Sequence, residues 1–196
     1  MRNSILFLGF NRNETSLVDF LERKGCKVNC TKEKIEKTQE FDLIISFGYR
    51  HIISKEILSN SKVPIINLHI SYLPWNKGAH PNFWSFYEST PSGVSIHLMD
   101  SGIDTGPILF QEYVNFNSNE NTFKKTYKRL LLEIEELFMK NFENILKGQY
   151  KPFPQKGVGT YHSKSDLPKE FSGWHSLIDD EIKRLVKIKY ETKKII

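Results

Sequence analysis

Three polar residues in two apolar stretches have the types and the spacing that acid–base chemistry needs. Asn67 and His69 lie two residues apart in PIINLHIS, and Asp104 lies in the Gly-rich end of GVSIHLMDSGIDTGPIL. Side chains alternate between the two faces of a β-strand, so Asn67 and His69 are expected to point to the same side. The sequence therefore predicts an amide and an imidazole that act together, with a carboxylate supplied from farther along the chain.

Acyl transfer to an amine is the chemistry that this set of groups fits. An amide N–H can stabilise the oxyanion of a tetrahedral intermediate, and an imidazole can accept the proton of the attacking amine. Neither cysteine lies in a catalytic context and the chain has no nucleophile elbow, which favours direct transfer over an acyl-enzyme. Each residue also has a structural alternative: Asn67 as a strand-end cap, His69 as a packed histidine and Asp104 as an Asx-turn residue.

The elements that must position these residues follow from the apolar pattern. Six runs typical of β-strands lie at 4–8, 26–30, 42–46, 65–69, 93–99 and 108–114. Helices are predicted between and after them; Asn13 is expected to cap the first, and the longest opens at Asn121 or Thr122. This alternation predicts an α/β fold with a mostly parallel open sheet and helices on both faces. Ligands bind at the carboxyl ends of such strands, where Asn67 and His69 lie.

Composition excludes several other classes of protein. The net charge of +5 arises at 183–194, which contains six basic residues and one acidic residue, so the rest of the chain has no net charge. A nucleic-acid partner is therefore not predicted. Cys26 and Cys30 are interpreted as buried thiols in a reducing compartment, without a zinc site. No signal peptide and no apolar run of about 20 residues is present, so a cytoplasmic protein without a membrane partner is expected.

The motifs INLHISYLP and GVSIHLMDSGIDTGPIL, in this order and at this separation, resemble the formyltransferase family that uses N10-formyltetrahydrofolate. The resemblance covers residues 43–163. It implies a Rossmann-like formyltransferase fold, N10-formyltetrahydrofolate as the formyl donor, no metal, and catalytic roles for Asn67, His69 and Asp104. The segment SFGYRHII matches the region where this family binds the pterin ring. The residues that the resemblance places around the folate are Arg50, His51, Ile53, Met99, Ser101 and Ile103.

Within the family, the resemblance is strongest to the small amino-sugar N-formyltransferases of the pseudaminic-acid type and to the formylation domain of linear gramicidin synthetase. LPWNKG, NFWS, TPSGVSIHLMD and PFPQKGVGTYHSKSDLP carry it. Too few residues follow Gly148 for the barrel of methionyl-tRNA formyltransferases, and GFNRNET departs from the Gly/Ser-rich phosphate loop of glycinamide ribonucleotide transformylases. The expected organisation is a catalytic domain at 1–150 and a C-terminal extension at 151–196 packed on the same domain.

An acceptor site is expected where aromatic faces and polar groups follow the fourth strand. Trp75, Asn76, Lys77 and Trp84 are its candidates, with loop packing as the alternative for each, and Asn11 and Arg12 are weaker candidates. The predicted reaction moves a formyl group to the primary amine of an amino sugar, nucleotide-linked or of the pseudaminic-acid type, for surface glycan biosynthesis.

Several alternatives to this prediction stay open. The acceptor could instead be a carrier-bound aminoacyl group, or the activity could be that of a glycinamide ribonucleotide transformylase. A non-catalytic folate- or sugar-binding module is a further alternative, which the intact Asn67, His69 and Asp104 argue against. The expected partner is a small-molecule amino sugar, and the oligomeric state is open, with a homodimer as one alternative.

Overall fold

The main feature of the protein, described here for residues 3–38 and 40–193 of a computed structural model, is a six-stranded sheet. The strands are β1 Ser4–Gly9, β2 Lys27–Thr31, β3 Leu43–Phe47, β4 Ile65–His69, β5 Lys77–Gly78, β6 Gly93–Leu98, β7 Ile108–Tyr113 and β8 Tyr161–His162. The sheet has the order β2-β1-β3-β4-β6-β7, while β5 and β8 pair separately. Strands β1 to β4 are parallel, and β6 and β7 are antiparallel to their neighbours. The predicted α/β fold with a mostly parallel sheet is confirmed.

Helices cover both faces of this sheet. They are α1 Leu17–Arg23, α2 Lys55–Asn60, α3 Pro81–Tyr87, α4 Phe123–Leu146 and α5 Ile178–Lys193. On one face Ile5 and Phe7 pack in a core with residues of α1 and α4, and on the other Leu6 and Leu8 pack in a second core with residues of α2. Successive side chains of β1 therefore enter opposite cores, which explains why its sequence is apolar throughout and does not alternate.

Thr15, and not Asn13, bonds the first N–H of α1, since its Oγ1 accepts from the Leu17 N–H at 3.2 Å, and a distant helix then holds this segment. Ser16 is the N-cap residue, and its side chain makes no local cap bond. Buried Glu135 of α4 instead accepts hydrogen bonds from the Thr15 Oγ1 hydroxyl at 2.7 Å and from the Ser16 Oγ hydroxyl at 2.5 Å. A carboxylate near a helix N-terminus also interacts favourably with the helix dipole. The local sequence could not show this contact, because its two partners lie 120 residues apart.

The prediction that both cysteines are buried holds for only one of them. Cys26 is buried, whereas Cys30 is exposed. The reason is the position of β2 at the edge of the sheet, where every residue from Lys27 to Thr31 is at least partly exposed.

The C-terminal residues pack against α3 and the start of α4. Phe83 and Trp84 of α3, Phe123 of α4, and Ile178 and Leu185 of α5 form a third buried core. The division of the chain at residue 150 stays a prediction. Of the basic run at 183–194, the last residue lies outside the described residues. Among the described helices, none is long and apolar enough to cross a membrane.

Candidate active site

The carboxylate of Asp104 brings the two predicted residues of β4 together. Its Oδ1 accepts a hydrogen bond from Nδ2 of Asn67 at 3.0 Å, and its Oδ2 lies 3.6 Å from Nδ1 of His69. The backbone N–H of Gly78, in β5, donates to the same Oδ2 at 2.8 Å. The three residues therefore form one contiguous cluster at the end of β4, and the Asp104 side chain is only 11% exposed.

The loop after β6 delivers Asp104 to this position. Asp104 has a left-handed backbone conformation with φ of 53°, which aspartate tolerates better than most residues. The Asx turn of the loop is made by Asp100, whose Oδ1 accepts from the Gly102 N–H and the Thr105 hydroxyl. The Asx turn that was the structural alternative for Asp104 is therefore made by Asp100. The Asp104 side chain points to Asn67 and His69 instead.

Burial and hydrogen bonding act on Asp104 in opposite directions. Burial by itself would raise the pKa of the Asp104 carboxyl group, but charge interactions with His69 and His97 and the hydrogen bond from the Gly78 backbone N–H outweigh it and lower the pKa well below its usual range. The carboxylate is therefore anionic at neutral pH and can stabilise positive charge on an adjacent ring.

Both ring nitrogens of His69 face oxygen atoms. Nε2 lies 3.1 Å from the carbonyl oxygen of Asn76, which can only accept, so Nε2 carries a proton. Nδ1 is then the nitrogen that can gain or lose a proton, and it faces Asp104. The ring is buried, so a proton taken up at Nδ1 is compensated by the carboxylate and not by bulk water.

A second histidine, His97, completes the cluster, and the sequence analysis did not identify it. Its Nδ1 lies 2.8 Å from the carbonyl oxygen of Leu98, and its Nε2 lies 3.2 Å from Nδ2 of Asn67 and 3.4 Å from Oδ1 of Asp104. The register of β4 and β6 places His97 directly opposite Asn67. The available signal was its place in the motif GVSIHLMD, but only the antiparallel pairing of β6 shows which residue it faces.

These residues lie on the wall of a cavity of about 1330 Å³. All six residues that the resemblance assigned to folate line it: Arg50, His51, Ile53, Met99, Ser101 and Ile103. They come from the segments after β3 and β6, which flank the cluster. Apolar Ile53, Met99 and Ile103 alternate there with the polar side chains, a mixture that suits a flat heterocyclic ring with an anionic tail.

The predicted acceptor residues are not on this cavity wall. Asn76 is only 1% exposed, and its amide is held by the hydroxyl groups of Thr90 and Thr160. Trp84 is buried, and its ring stacks on His162 at 3.7 Å between centroids. Both residues fill interior positions, as the alternative of loop packing describes.

The other four candidates also have contacts away from the cavity. Lys77 Nζ donates to the carbonyl oxygen of Val158, and half-buried Trp75 has its carbonyl oxygen bonded by the Ser71 hydroxyl. Arg12 pairs with Asp19 and Glu22 of α1, and Oδ1 of Asn11 accepts from the Asn13 N–H. The cavity is also lined by residues to which the sequence analysis gave no role: His80, Asn82, Lys124, Tyr161, His162, Lys164, Trp174 and His175.

Comparisons with known proteins point to one family. A family model described as formyl transferase matches residues 11–141. The methionyl-tRNA formyltransferase of Clostridium botulinum (strain Alaska E43 / Type E3) is 34% identical over 151 residues, which are 76% of this chain and 48% of that protein. The GDP-perosamine N-formyltransferase of Brucella melitensis biotype 1 is 32% identical over 168 residues, or 81% of this chain and 62% of that protein. The chain spans about half the length of the first curated relatives it matches.

One solved structure is similar over nearly the whole chain. It is the formyltransferase PseJ from Anoxybacillus kamchatkensis, in complex with UDP-4,6-dideoxy-4-formamido-L-AltNAc and tetrahydrofolate. PseJ is 43% identical, with a TM-score of 0.83, and the match covers 90% of this chain and 96% of that chain.

Proposed function

The chain belongs to the formyl transferase family, as its motifs predict, and from that premise we propose that it transfers a formyl group from N10-formyltetrahydrofolate to the primary amine of a nucleotide-linked amino sugar. The observation that carries the proposal is the cluster of Asn67, His69 and Asp104 on the wall of a cavity large enough for two substrates. The similarity to PseJ along most of both chains supports a sugar as the acceptor. Surface glycan is the proposed destination of the product.

The formyl donor fits the half of the cavity beside the segments after β3 and β6. Ile53, Met99 and Ile103 provide apolar contacts there, and Arg50 and His51 provide cationic or polar contacts for carboxylates. When bound, the donor supplies an activated formyl carbon. A group held in this half lies beside Asp104, because Asp104 directly follows Ile103 in the chain.

Asn67 has two N–H groups, and both have partners in the cluster. One N–H donates to Oδ1 of Asp104, and the other is directed at Nε2 of His97. The second is the donor that would turn to the formyl oxygen as that oxygen gains negative charge during attack by the amine. Asp104 keeps the amide oriented throughout, so little reorganisation is needed when the charge develops.

His69 provides a route for a proton. The attacking amine must lose a proton, and the departing nitrogen of the donor must gain one. Nδ1 of His69, which lies 3.6 Å from Oδ2 of Asp104, would carry this proton, directly or through a water molecule bound to Asp104. Asp104 stabilises the cationic ring that results from protonation.

The assay uses N10-formyltetrahydrofolate with four amine acceptors, and product is followed by mass spectrometry. UDP-4-amino-4,6-dideoxy-L-AltNAc, the unformylated form of the sugar in the PseJ complex, is expected to be the substrate. Methionyl-tRNA, glycinamide ribonucleotide and an aminoacyl-carrier protein are the competing acceptors. Turnover with one of these and not with the sugar nucleotide would refute the proposal.

Asp104→Asn is the catalytic control for this assay. The substitution keeps the size of the side chain and removes its charge, so we expect kcat to fall by about 10²-fold or more with the fold retained. Glu112→Gln, on β7, changes a carboxylate that pairs with Lys140 and does not line the cavity, so it should lower kcat far less. Equal effects of the two substitutions would remove Asp104 from the mechanism.

A further inference from the structure

The tautomer of His69 depends on one backbone carbonyl group. Nε2 of the ring lies 3.1 Å from the carbonyl oxygen of Asn76, and Nδ1 lies 3.6 Å from Oδ2 of Asp104, which already accepts the Gly78 N–H at 2.8 Å. A neutral imidazole has one N–H, whereas a carbonyl oxygen and an anionic carboxylate can only accept. The two oxygen atoms therefore compete for one proton, and the shorter distance favours Nε2. Only in that tautomer does Nδ1 keep a free lone pair.

The position of this carbonyl group is fixed through the side chain of its own residue. Asn76 is only 1% exposed and has a left-handed backbone conformation with φ of 53°. Its Nδ2 donates to Oγ1 of Thr90 at 2.8 Å, and its Oδ1 accepts from the Thr160 hydroxyl at 3.1 Å. The same Thr160 oxygen accepts the Asn76 backbone N–H at 2.8 Å. Two threonine hydroxyl groups thus hold both ends of the amide and the backbone of the residue that faces His69.

Thr160 reaches Asn76 from a segment 84 residues farther along the chain, beyond the residues 11–141 that match the family model. Its N–H donates to the carbonyl oxygen of Pro74 at 3.2 Å, and its own carbonyl oxygen accepts the Lys77 N–H at 3.0 Å. The approach is close, since a Cβ at Gly159, where φ is 65°, would lie 1.9 Å from the Pro74 carbonyl oxygen. Backbone contacts on both sides of Asn76 therefore fix the Thr160 hydroxyl.

These contacts lie behind the cavity wall. Asn76, Thr90 and Thr160 do not line the cavity, whereas His69 and Asp104 do. A substrate in the cavity therefore contacts the imidazole and the carboxylate, and the two threonines act on the imidazole only through Asn76. A change in their hydroxyl groups should alter the chemical step and leave the binding surfaces as they are.

On the basis of the proposed function, in which His69 carries the proton of the amine, we propose that Asn76 and Thr160 are positioning residues for this base. The Thr160 hydroxyl fixes Asn76, and the Asn76 carbonyl oxygen holds the proton of His69 on Nε2. Without that contact the proton would move to Nδ1, where Asp104 would accept a hydrogen bond from it. No lone pair of the ring would then be left on that side for the proton of the attacking amine.

The first measurement is the tautomer of His69 in the protein without substrates. NMR of protein labelled with ¹⁵N at histidine distinguishes protonated from unprotonated ring nitrogens, and the signals missing in His69→Gln identify those of His69. At a pH where the ring is neutral, we expect the wild-type proton on Nε2. Thr160→Val, which removes the hydroxyl and keeps the shape, should move part of the population to Nδ1. Thr160→Ser, which keeps a hydroxyl, should resemble wild type.

The second measurement is the kinetics of formyl transfer to UDP-4-amino-4,6-dideoxy-L-AltNAc. We expect Thr160→Val to lower kcat by about tenfold or more, because a misplaced catalytic group slows the chemical step, and to leave the KM of both substrates nearly unchanged. Thr160→Ser should restore most of kcat. Thr31→Val is the matched control, because Thr31 is also half-buried, its Oγ1 accepts the Glu33 N–H, and it lies on the edge strand β2 away from the cavity.

Each outcome decides the inference. A proton on Nδ1 in the neutral wild-type ring, or a wild-type tautomer in folded Thr160→Val, would contradict the proposal. A shifted tautomer with wild-type kcat, or a raised KM alone, would contradict it too. If Thr160→Val does not fold, Thr90→Val removes the other hydroxyl that holds Asn76 and gives the same test. If the wild-type protein does not formylate the sugar nucleotide, the proposed function fails, while the tautomer, measured without substrates, still decides whether Asn76 and Thr160 position His69.

Discussion

Asp104 is the residue through which the cluster depends on pH. Its pKa is lowered in the folded protein, so the carboxylate adds stability that is fully present above the usual value of 3.8 and is lost as the pH falls through the folded value. We expect the difference in free energy of unfolding between wild type and Asp104→Asn to be largest above about pH 4 and to shrink below it. Urea unfolding at a series of pH values measures this difference. A difference that grows with acidification would have the wrong sign for an anionic Asp104.

His97 acts on the same scale by holding Asn67 and Asp104. Replacing it with Phe keeps the bulk of the ring but leaves the Leu98 carbonyl oxygen and one Asn67 N–H without a partner. We expect kcat to fall by about tenfold or more, with the KM of both substrates nearly unchanged, because His97 positions the amide and does not select a ligand. His97→Gln, whose amide can reach the position of Nε2, should retain more activity. A rise in KM without a loss of kcat would show that His97 contacts a substrate instead.

Contacts between elements set the position of α1 relative to α4. Glu135→Gln replaces an acceptor of the Thr15 and Ser16 hydroxyl groups with an amide that has only one acceptor oxygen. We expect the free energy of unfolding to fall by about 1–3 kcal/mol, measured by urea denaturation. Glu136→Gln is the control, since Glu136 is exposed on the same helix and should change stability by less than about 0.5 kcal/mol. Equal effects of the two substitutions would mean that the contact of Glu135 with Thr15 and Ser16 contributes nothing to stability.

At the scale of the whole molecule, the third core joins the C-terminal residues to the catalytic part. Leu185 of α5 is 3% exposed and shares this core with Phe83 and Phe123. We expect Leu185→Ala to lower the free energy of unfolding by about 2–5 kcal/mol. Far-UV circular dichroism and tryptophan fluorescence should still report one coincident transition, because the residues after 150 are proposed to fold with the rest. Two separated transitions would show that 151–196 folds as an independent unit.

The sequence by itself determined the features that depend on local pattern. The apolar runs predicted the sheet, the spacing of Asn67 and His69 placed both on the face that Asp104 reaches, and the motif after β6 identified that carboxylate. The family resemblance also selected six residues that line one half of the cavity. Such features are readable because strand periodicity and short motifs are properties of neighbouring residues.

The tertiary structure decided which residues from distant parts of the chain meet. His97 faces Asn67 only because β6 runs antiparallel to β4, and Trp84 is buried because residue 162 returns to stack on it. Asn82 reaches the cavity while the six predicted acceptor residues do not, since α3 packs against the start of α4 and turns its polar side chain inward at that point. Contacts of this kind depend on the packing of elements that are far apart in sequence, and no local pattern of polar and apolar residues encodes them.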